Sequence, residues 1–507
     1  MSGSTLEAAT SARAAHGADP PRPPVGRLDV LAWLAGIYLL APLVVFAVSW
    51  LAPVPGVLVL AAVGAALVAL GRPDVRDRSW IRLVLITGAV GLAWTLLNGI
   101  VGAFALPTFD FAKHLAILGH LERSGWPTRV SVPGGDESYL RYYLGWYLFP
   151  ALAGKVFGGA LMLRVATEVW TAVGVGLAIA MIVRHARVRA VQVATAIGFI
   201  LFSGMDLLGG WVTEGIVGYS RFGDFTHVEV WSSPYQYSSH MTQLLWVPQH
   251  AISGWLGVLL VLESARRRQP LVLVVALFAT LFWSPFAAIG LLPFVVVASI
   301  RALRARVTWT RVDVLGPAAF VVVGAVVVAL YLTAASGDIP RGWAWEPAFA
   351  QDPGFPGLYV LFVVFEAVAL FVLAALAGAR PDWAAWTALG SLVLLPLVTY
   401  GDYNDLSRRA SIPALAVLAI FVLRAAFSPE VDGGRRFVRP WRVVLWIALA
   451  TAAVTSVVEV ATRRDLDGFR SSTKCRLVQQ ACSGVGPTSL EQYLAPTDDP
   501  TLDWLLR

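Results

Sequence analysis

Residues 109–157 read FDFAKHLAILGHLERSGWPTRVSVPGGDESYLRYYLGWYLFPALAGKVF, and they directly follow an apolar run at residues 81–106. The apolar run is long enough to cross a bilayer, whereas the stretch after it is too rich in charged residues to lie in lipid. Asp110, Lys113 and His114 fall at i, i+3 and i+4, so a helix places them on one face. We therefore predict a span followed by a functional segment at the membrane surface.

The composition of the whole chain is that of an integral membrane protein. The chain is 57% hydrophobic and 14% charged, with a mean hydropathy of +0.68. No soluble domain buries that much apolar surface. We predict an all-α fold, a polytopic transmembrane helical bundle of about 13 spans with helices and loops lying at its outer face. The net charge of +7 is distributed in a way that indicates membrane orientation and not nucleic-acid binding.

Arginine clusters mark the predicted cytoplasmic loops, because such loops are enriched in basic residues. Residues 1–27 are polar and proline-rich, which predicts a disordered cytoplasmic tail. The chain must cross the membrane an even number of times between successive clusters. This rule assigns residues 28–460 to the transmembrane domain and residues 461–507 to an extracytoplasmic tail. The predicted outer loops are 107–159, 209–246, 335–356 and 400–410.

Two stretches are resolved by the same counting rule. Residues 160–183 supply the one return crossing that the rule allows after the first outer loop. The aromatic residues within 139–157 have helical spacing, so we predict an interfacial helix there, with its rings at the headgroup level. Residues 271–300 are bracketed by arginines on both sides, and they therefore break near Ser284-Pro285 into two short spans.

Cys475 and Cys482 are the only two cysteines, and both fall in the predicted extracytoplasmic tail. Thiols at this spacing in an oxidising compartment can close a small disulfide loop. Two unpaired thiols are the alternative. The sequence leaves the choice open.

Titratable residues gather in the predicted outer segments. Five of the seven histidines fall on the outer side of this topology, namely His114, His120, His227, His240 and His250. Acidic residues follow the same distribution. The greater length of the outer loops can explain why any one of these residues lies on the outer side. The whole set of titratable residues favours an outward-facing polar cavity.

This arrangement resembles the GT-C superfamily of membrane glycosyltransferases. Members carry an acidic residue just after an early span, a helix at the outer surface, a short Phe-Gly turn and a span with an arginine near its start. Here Asp110 follows the third predicted span, and residues 142–155 correspond to the surface helix. Phe157-Gly158 matches the turn, and Arg164 lies near the start of the next span.

The resemblance extends to a second acidic residue. Asp206 stands where many relatives have a carboxylate at the next outward exit of the chain. The acidic pair that is usual in the family is absent, because Phe111 follows Asp110. The resemblance implies that Asp110 and Asp206 are catalytic, and it leaves open whether both also hold a divalent cation, Mg²⁺ or Mn²⁺.

The resemblance implies a glycosyltransferase of the plasma membrane that uses a polyprenyl-phosphate sugar as donor. The acceptor would be a cell-envelope glycan, lipid or protein on the outer face. Asp110 is the candidate general base for the acceptor hydroxyl, and cations would stabilise the leaving phosphate. The candidate substrate-binding residues are Lys113, His114, Arg141, Tyr142, Glu229, His240, Gln249, His250, Asn404, Asp405, Arg408 and Arg409.

Other interpretations stay open at this point. A membrane transporter or lipid flippase would carry ionisable residues near mid-membrane on several spans. Glu168 and Glu366 lie inside predicted spans, whereas most of the other polar residues gather at one face. A glycan polymerase or ligase shares the chemistry of transfer, and the sequence does not separate it. Asp110 has a structural alternative as a helix cap, and Arg408-Arg409 has one as a pair that reaches lipid headgroups. The sequence lacks the motifs of zinc proteases, serine hydrolases and P-loop enzymes.

Overall fold

The computed structural model describes residues 28–73, 75, 78–98, 109–132, 136–186, 188–217, 227–232, 235–305, 311–335, 337, 339–346, 356–401, 404–427, 438–462, 490 and 492–507. Within these ranges the chain is a helical bundle with two small sheets. The predicted tail 1–27 and the predicted pairing of Cys475 with Cys482 fall outside the described residues.

The helices of the first half of the chain follow the apolar runs. They are α1 Val30–Ser49, α2 Pro53–Leu70, α3 Ser79–Asn98, α4 Phe109–Arg123, α5 Leu148–Phe157, α6 Gly159–Val183, α7 Arg189–Ile200, α8 Asp206–Val217, α9 His240–Trp246 and α10 Pro248–Arg267. The helices of the second half are α11 Pro270–Trp283, α12 Pro285–Arg304, α13 Arg311–Thr333, α14 Gly357–Val363, α15 Ala369–Leu376, α16 Trp383–Leu394, α17 Asp405–Ala410, α18 Ile412–Phe427, α19 Val438–Ala461 and α20 Pro500–Leu505. A π-helical turn, Val364–Val368, joins α14 to α15.

Five short strands accompany the helices within the described ranges. Strands β1 Arg129–Ser131, β2 Glu137–Leu140 and β5 Leu494–Pro496 form an antiparallel sheet in the order β1-β2-β5. Strands β3 Arg341–Trp343 and β4 Val398–Tyr400 form a second antiparallel pair. The fold is therefore mainly helical, but it differs from the all-α prediction because short strands pair in the segments between helices.

Eight helical segments in the described ranges are long and apolar enough to cross a membrane. This confirms the prediction of a helical membrane protein. Four further predicted spans coincide with the shorter apolar helices α7, α11, α16 and α18, and one coincides with α10. The predicted break at Ser284 is present, and the Ser284 side chain caps α12 by accepting the backbone N–H of Ala287. The total of about 13 crossings stays a prediction.

The aromatic stretch within residues 139–157 differs from the predicted interfacial helix. Tyr139 lies in β2, and helix α5 begins only at Leu148. Because β2 pairs with β1 on one edge and with β5 on the other, its backbone groups are satisfied in the extended form. Aromatic residues suit strands as well as helices, so their spacing alone gave the wrong assignment for residues 139–147.

Helices α3 and α6 pack closely through glycines, and this contact fixes the span that leads to α4. A side chain at Gly91 would lie 2.5 Å from the carbonyl oxygen of Ala172, and one at Gly176 would lie 2.8 Å from the Cα of Gly88. Small residues at such contacts let helix backbones approach within a membrane.

The predicted outer segments meet at one end of the bundle. Strand β3 of the loop 335–356 pairs with β4, which leads into the loop 400–410. Strand β5 of the C-terminal tail pairs with β2 of the loop 107–159. The ring of His114 contacts the carbonyl oxygen of Trp246 at 2.9 Å, which links the first and second outer loops. These segments therefore share one end of the bundle.

A buried ion network lies at the opposite end of α1. The guanidinium of Arg184 contacts Asp29 at 2.7 Å and Glu263 at 2.7 Å. Arg266 and Arg267 also contact Glu263, whose side chain is only 1% exposed. A carboxylate this buried needs such partners to offset the cost of its desolvation. The network joins α1, α6 and α10 where arginines of the predicted cytoplasmic loops gather.

We predict that these two ends face opposite sides of the membrane, with the C-terminal tail outside. Asp503→Cys is expected to react with a membrane-impermeant maleimide on intact cells, because Asp503 is exposed at the tail end. Ala305→Cys, which is exposed after α12, is expected to react only after permeabilisation. Both variants carry serine at positions 475 and 482. The opposite labelling pattern would invert the orientation.

Candidate functional site

A group of cations, histidines and tyrosines converges at the end of the bundle where the outer segments meet. Its members come from five separate parts of the chain, and most of their side chains are buried. We name this group the tyrosine–cation cluster. It consists of Lys113, His114, Arg141, Tyr142, Tyr143, Tyr147, His250, Arg409 and Tyr493.

Helix α4 contributes Lys113 and His114 to this cluster. The side chain of Lys113 is 5% exposed, and its ammonium lies 5.6 Å from the ring centre of Tyr493. His114 is fully buried and contacts the Tyr147 hydroxyl through Nδ1 at 2.6 Å and the Trp246 carbonyl oxygen through Nε2 at 2.9 Å. A carbonyl oxygen only accepts, so Nε2 carries a hydrogen and the imidazole is held at both nitrogens.

Asp110 occupies the first turn of the same helix. Its side chain lies outside the described residues. The backbone of α4 places it one turn before Lys113 and His114, on the face that they share. An acidic residue in a first turn is also favoured by the helix dipole. The general-base role of Asp110 therefore stays a prediction.

A hydrogen-bonded row of side chains runs across the middle of the cluster. The Tyr142 hydroxyl donates to the Tyr143 hydroxyl at 2.6 Å, which lies 3.1 Å from Nε2 of His250. Nδ1 of His250 contacts the hydroxyl of Ser284 at 2.5 Å. Burial raises the pKa of Tyr142 well above its ordinary value. That phenol therefore stays protonated and can donate a hydrogen bond at neutral pH.

Two arginines bring positive charge to the cluster from other segments. Arg141 is 5% exposed, and its guanidinium donates to the carbonyl oxygen of Leu332 at 2.7 Å. Burial lowers the pKa of Arg141, but it remains far too basic to lose its charge at neutral pH. Arg409 pairs with Asp405 at 3.1 Å and lies over the ring of Phe286 at 5.6 Å.

The charges of Arg409 and Lys113 act on the same tyrosine, Tyr143. Burial raises the pKa of Tyr143, and the nearby charges of Arg409 and Lys113 oppose that rise. Arg409, Lys113 and His114 also lie close enough to His250 to interact with it electrostatically. Cations from α4 and α17 thus face the same small volume.

The remaining candidates on the 400–410 segment have local structural contacts. Asn404 adopts a left-handed conformation, with φ of 51°, and its side chain accepts the backbone N–H of Ser407 as the cap of α17. Asp405 orients Arg409 through their ion pair. Arg408 is half-buried beside Arg409. Gln249 is buried in the first turn of α10, next to His250.

Asp206 and Glu229 belong to a second group of buried side chains. We name it the carboxylate cluster, and it consists of Asp206, His227, Glu229, Glu366 and Glu459. Asp206 is fully buried and accepts the Ser203 hydroxyl at 2.8 Å. Glu366 accepts the indole N–H of Trp231 at 3.1 Å. The Asp206 and Glu366 carboxyl groups lie close enough to interact electrostatically.

Glu229 is the centre of the other half of the carboxylate cluster. It accepts the backbone N–H of Ser239 at 2.8 Å and the Thr242 hydroxyl at 2.6 Å. Burial, followed by the negative charges of Glu459 and Asp206, raises the pKa of Glu229 to about 7. His227 contacts Glu459 at 2.5 Å.

Trp246 connects the two clusters. The ring of His227 stacks on the Trp246 ring with 5.4 Å between centroids, and the Trp246 carbonyl oxygen contacts His114. His240 lies apart from this connection. It is packed against Phe199, and burial lowers its pKa to about 3, so it stays neutral.

The buried carboxylates are candidate ligands for a divalent cation. Carboxylate oxygens are suitable donors for Mg²⁺ or Mn²⁺. However, among the described residues no group of three or more His, Cys, Asp or Glu side chains has an arrangement that would hold a metal ion. Asp206 accepts a hydrogen bond from the Ser203 hydroxyl. Joint metal binding by Asp110 and Asp206 stays a prediction.

Several members of the two clusters escape sequence reasoning. Tyr143 and Tyr147 belong to the aromatic run, but the helix assumed there gave them no specific role. Glu459 lies inside an apolar helix, where a lone carboxylate is a signal for a buried partner. Tyr493 has no such signal, because its neighbours in sequence are ordinary tail residues.

Comparison with known proteins adds no further identification. No protein-family model, curated protein or solved structure matches this chain.

Proposed function

We propose that this protein is a membrane glycosyltransferase that moves a sugar from a polyprenyl-phosphate donor to a cell-envelope glycan, lipid or protein acceptor at the outer face of the plasma membrane. The observation that carries the proposal is the convergence of Lys113, Arg141 and Arg409 around hydrogen-bonding tyrosines. Burying a cation costs free energy that hydrogen bonds and a partner of opposite charge offset. A lipid-linked phosphate at the membrane boundary is a ligand that fits this charge.

The cations suit the leaving group of such a reaction. When the bond between the anomeric carbon and the phosphate oxygen breaks, the electron pair stays on the phosphate and its negative charge grows. Preorganised positive charge in a partly dry site stabilises that charge more than water does. Arg409 and Lys113 lie on different helices, so both can approach one phosphate from two directions. The planar guanidinium also allows paired hydrogen bonds to phosphate oxygens.

The first turn of α4 suits the acceptor side of the reaction. The acceptor hydroxyl oxygen forms the new bond to the anomeric carbon, and its proton must go to a base. In this proposal the carboxylate of Asp110 takes that proton. Its position one turn from Lys113 would keep base and leaving-group charge on one face of α4.

The row from Tyr142 to Ser284 suits the sugar. Phenol, imidazole and hydroxyl groups donate and accept hydrogen bonds, and tyrosine rings offer apolar faces to the C–H groups of a pyranose or furanose ring. Tyr142 and Tyr143 are close neighbours, with ring centroids 3.8 Å apart. A polar row beside cations is the combination that a phosphate-linked sugar requires.

The carboxylate cluster favours a second candidate function, a transporter or lipid flippase. Ionisable side chains buried among spans commonly mark proton or ion pathways. Here four carboxyl groups are at most 1% exposed, namely Asp206, Glu229, Glu366 and Glu459. A proton-coupled transporter would use them directly, whereas a transferase would use them to hold its helices.

One experiment with two measurements separates these functions. Purified protein in liposomes is supplied with radiolabelled polyprenyl-phosphate hexoses and pentoses together with envelope extract, and transfer of label is measured. The same liposomes contain a pH-sensitive dye to record proton flux. The proposal expects label transfer without substrate-driven proton flux. Flux without transfer would support the transporter. Mass spectrometry of envelope glycans from a strain lacking the gene would then name the sugar.

A further inference from the structure

The C-terminal segment 490–507 is bound to the body of the protein at several points. Strand β5 pairs with β2, with Ala495 opposite Tyr139. Leu502 and Leu505 of α20 are fully buried. The Leu505 carbonyl oxygen accepts the backbone N–H of Ala52 at 2.8 Å, between α1 and α2. These contacts hold the segment across the end of the bundle that contains the tyrosine–cation cluster.

Tyr493 is the residue through which this segment reaches the cluster. Its ring centre lies 5.0 Å from that of Tyr142 and 5.6 Å from the Lys113 ammonium. Its backbone carbonyl oxygen accepts the N–H of Arg141 at 2.7 Å. The side chain is only 9% exposed. One residue of the tail thus contacts three residues of the first outer loop.

We infer that Tyr493 is a positioning residue of the candidate site, which holds the Lys113 ammonium and the Tyr142 ring in place for an anionic ligand. The face of a phenol ring attracts a cation, and the attraction is strongest where water is excluded. Lys113 is in such a place. The ring therefore stabilises the buried ammonium and leaves its positive charge in place. A carboxylate in the same position would neutralise that charge. The identity of the ligand as a lipid phosphate rests on the proposed function, whereas the positioning does not.

The anchoring of the segment and the positioning of the cluster use different residues. Leu502 and Leu505 supply apolar burial through α20, which packs against α13. Trp504 is 49% exposed on the same short helix. Removing the Trp504 ring should leave the cluster unchanged, which makes Trp504→Ala the matched control for Tyr493→Ala.

The first test measures the environment of Lys113 without any ligand. The chain has three lysines, Lys113, Lys155 and Lys474, and Lys155 is exposed. An amine-acylating reagent is applied to the purified full-length protein, and labelling at Lys113 relative to Lys155 is measured by mass spectrometry. Tyr493→Ala is expected to raise this ratio severalfold. Tyr493→Phe is expected to leave the ratio unchanged, because phenylalanine keeps a ring at position 493. Trp504→Ala is also expected to leave it unchanged, because Tyr493 is still present.

The second test measures binding of farnesyl phosphate, a short isoprenyl phosphate, to the same four proteins. Tyr493→Ala is expected to weaken binding about tenfold, with a melting temperature equal to that of Trp504→Ala. Tyr493→Phe is expected to bind like the parent. An unchanged labelling ratio and unchanged affinity in Tyr493→Ala would overturn the inference. Equal losses in Tyr493→Phe and Tyr493→Ala would also overturn it, since the hydroxyl and not the ring would matter. A raised ratio in a protein whose parent form binds no farnesyl phosphate would keep the positioning role and reject the lipid-phosphate ligand.

Discussion

Asp110→Asn is expected to slow sugar transfer by roughly 10²–10⁴-fold while the protein stays folded. The substitution keeps the size and most hydrogen bonds of the side chain, but it removes the charge that accepts the proton of the acceptor hydroxyl. Transfer by the purified variant is measured at saturating donor and acceptor, so that the chemical step is compared. Its melting temperature is measured in the same preparation.

Glu122→Gln is the control for Asp110→Asn. Glu122 is a partly buried carboxylate near the other end of α4. Glu122→Gln removes one negative charge from α4, as Asp110→Asn does, but it leaves the first turn of the helix unchanged. Its transfer rate should stay near that of the parent. Near-normal transfer by Asp110→Asn would exclude Asp110 as the base. A lower melting temperature with normal transfer would instead identify a capping role.

Arg409→Gln is expected to weaken the apparent affinity for the donor by about 10- to 150-fold, the equivalent of roughly 1.5–3 kcal/mol for a charge-assisted contact. Arg409 interacts electrostatically with Tyr142 and Tyr143, so its charge reaches the middle of the cluster. The effect is measured by varying the polyprenyl-phosphate sugar at fixed acceptor. The apparent affinity for the acceptor should change much less.

Arg408→Gln supplies the matched comparison on the same helix. Successive residues of a helix point about 100° apart, so Arg408 and Arg409 do not serve one ligand equally. Arg409→Lys should restore part of the affinity, because lysine keeps the charge but loses the paired hydrogen bonds. Full rescue by lysine would mean that surface potential alone matters. Unchanged donor dependence in Arg408→Gln, Arg409→Gln and the double variant would move the phosphate site toward Lys113 and Arg141.

The helices of this protein are largely predictable from its sequence, because apolar runs of sufficient length have few alternatives in a membrane. The predicted break at Ser284-Pro285 is present, since proline favours a new helix start and serine caps it. The strand at Tyr139 was missed for a physical reason. A strand is defined by its partners, and β5 lies at the far end of the chain.

The candidate site is predictable in part. Lys113 and His114 stand out because charge in an aromatic, membrane-adjacent stretch is costly, and both lie in the tyrosine–cation cluster. The resemblance singled out Asp206, and Glu229 was a candidate from the second outer loop, yet both lie in the carboxylate cluster. Residue type signals that a polar group needs a partner, but it does not say which one. The division into two clusters depends on contacts between distant segments.

The docking of the segment 490–507 has a consequence for how the protein is made. Arg507 donates through Nε to the carbonyl oxygen of Leu51, a residue 456 positions earlier in the chain. Tyr493 likewise emerges from the ribosome after every span of the bundle has been synthesised. Long-range contacts of this kind form late in folding. The spans can therefore insert one after another while the tyrosine–cation cluster is still open. An interrupted nascent chain would leave an inserted bundle whose tyrosine–cation cluster lacks Tyr493.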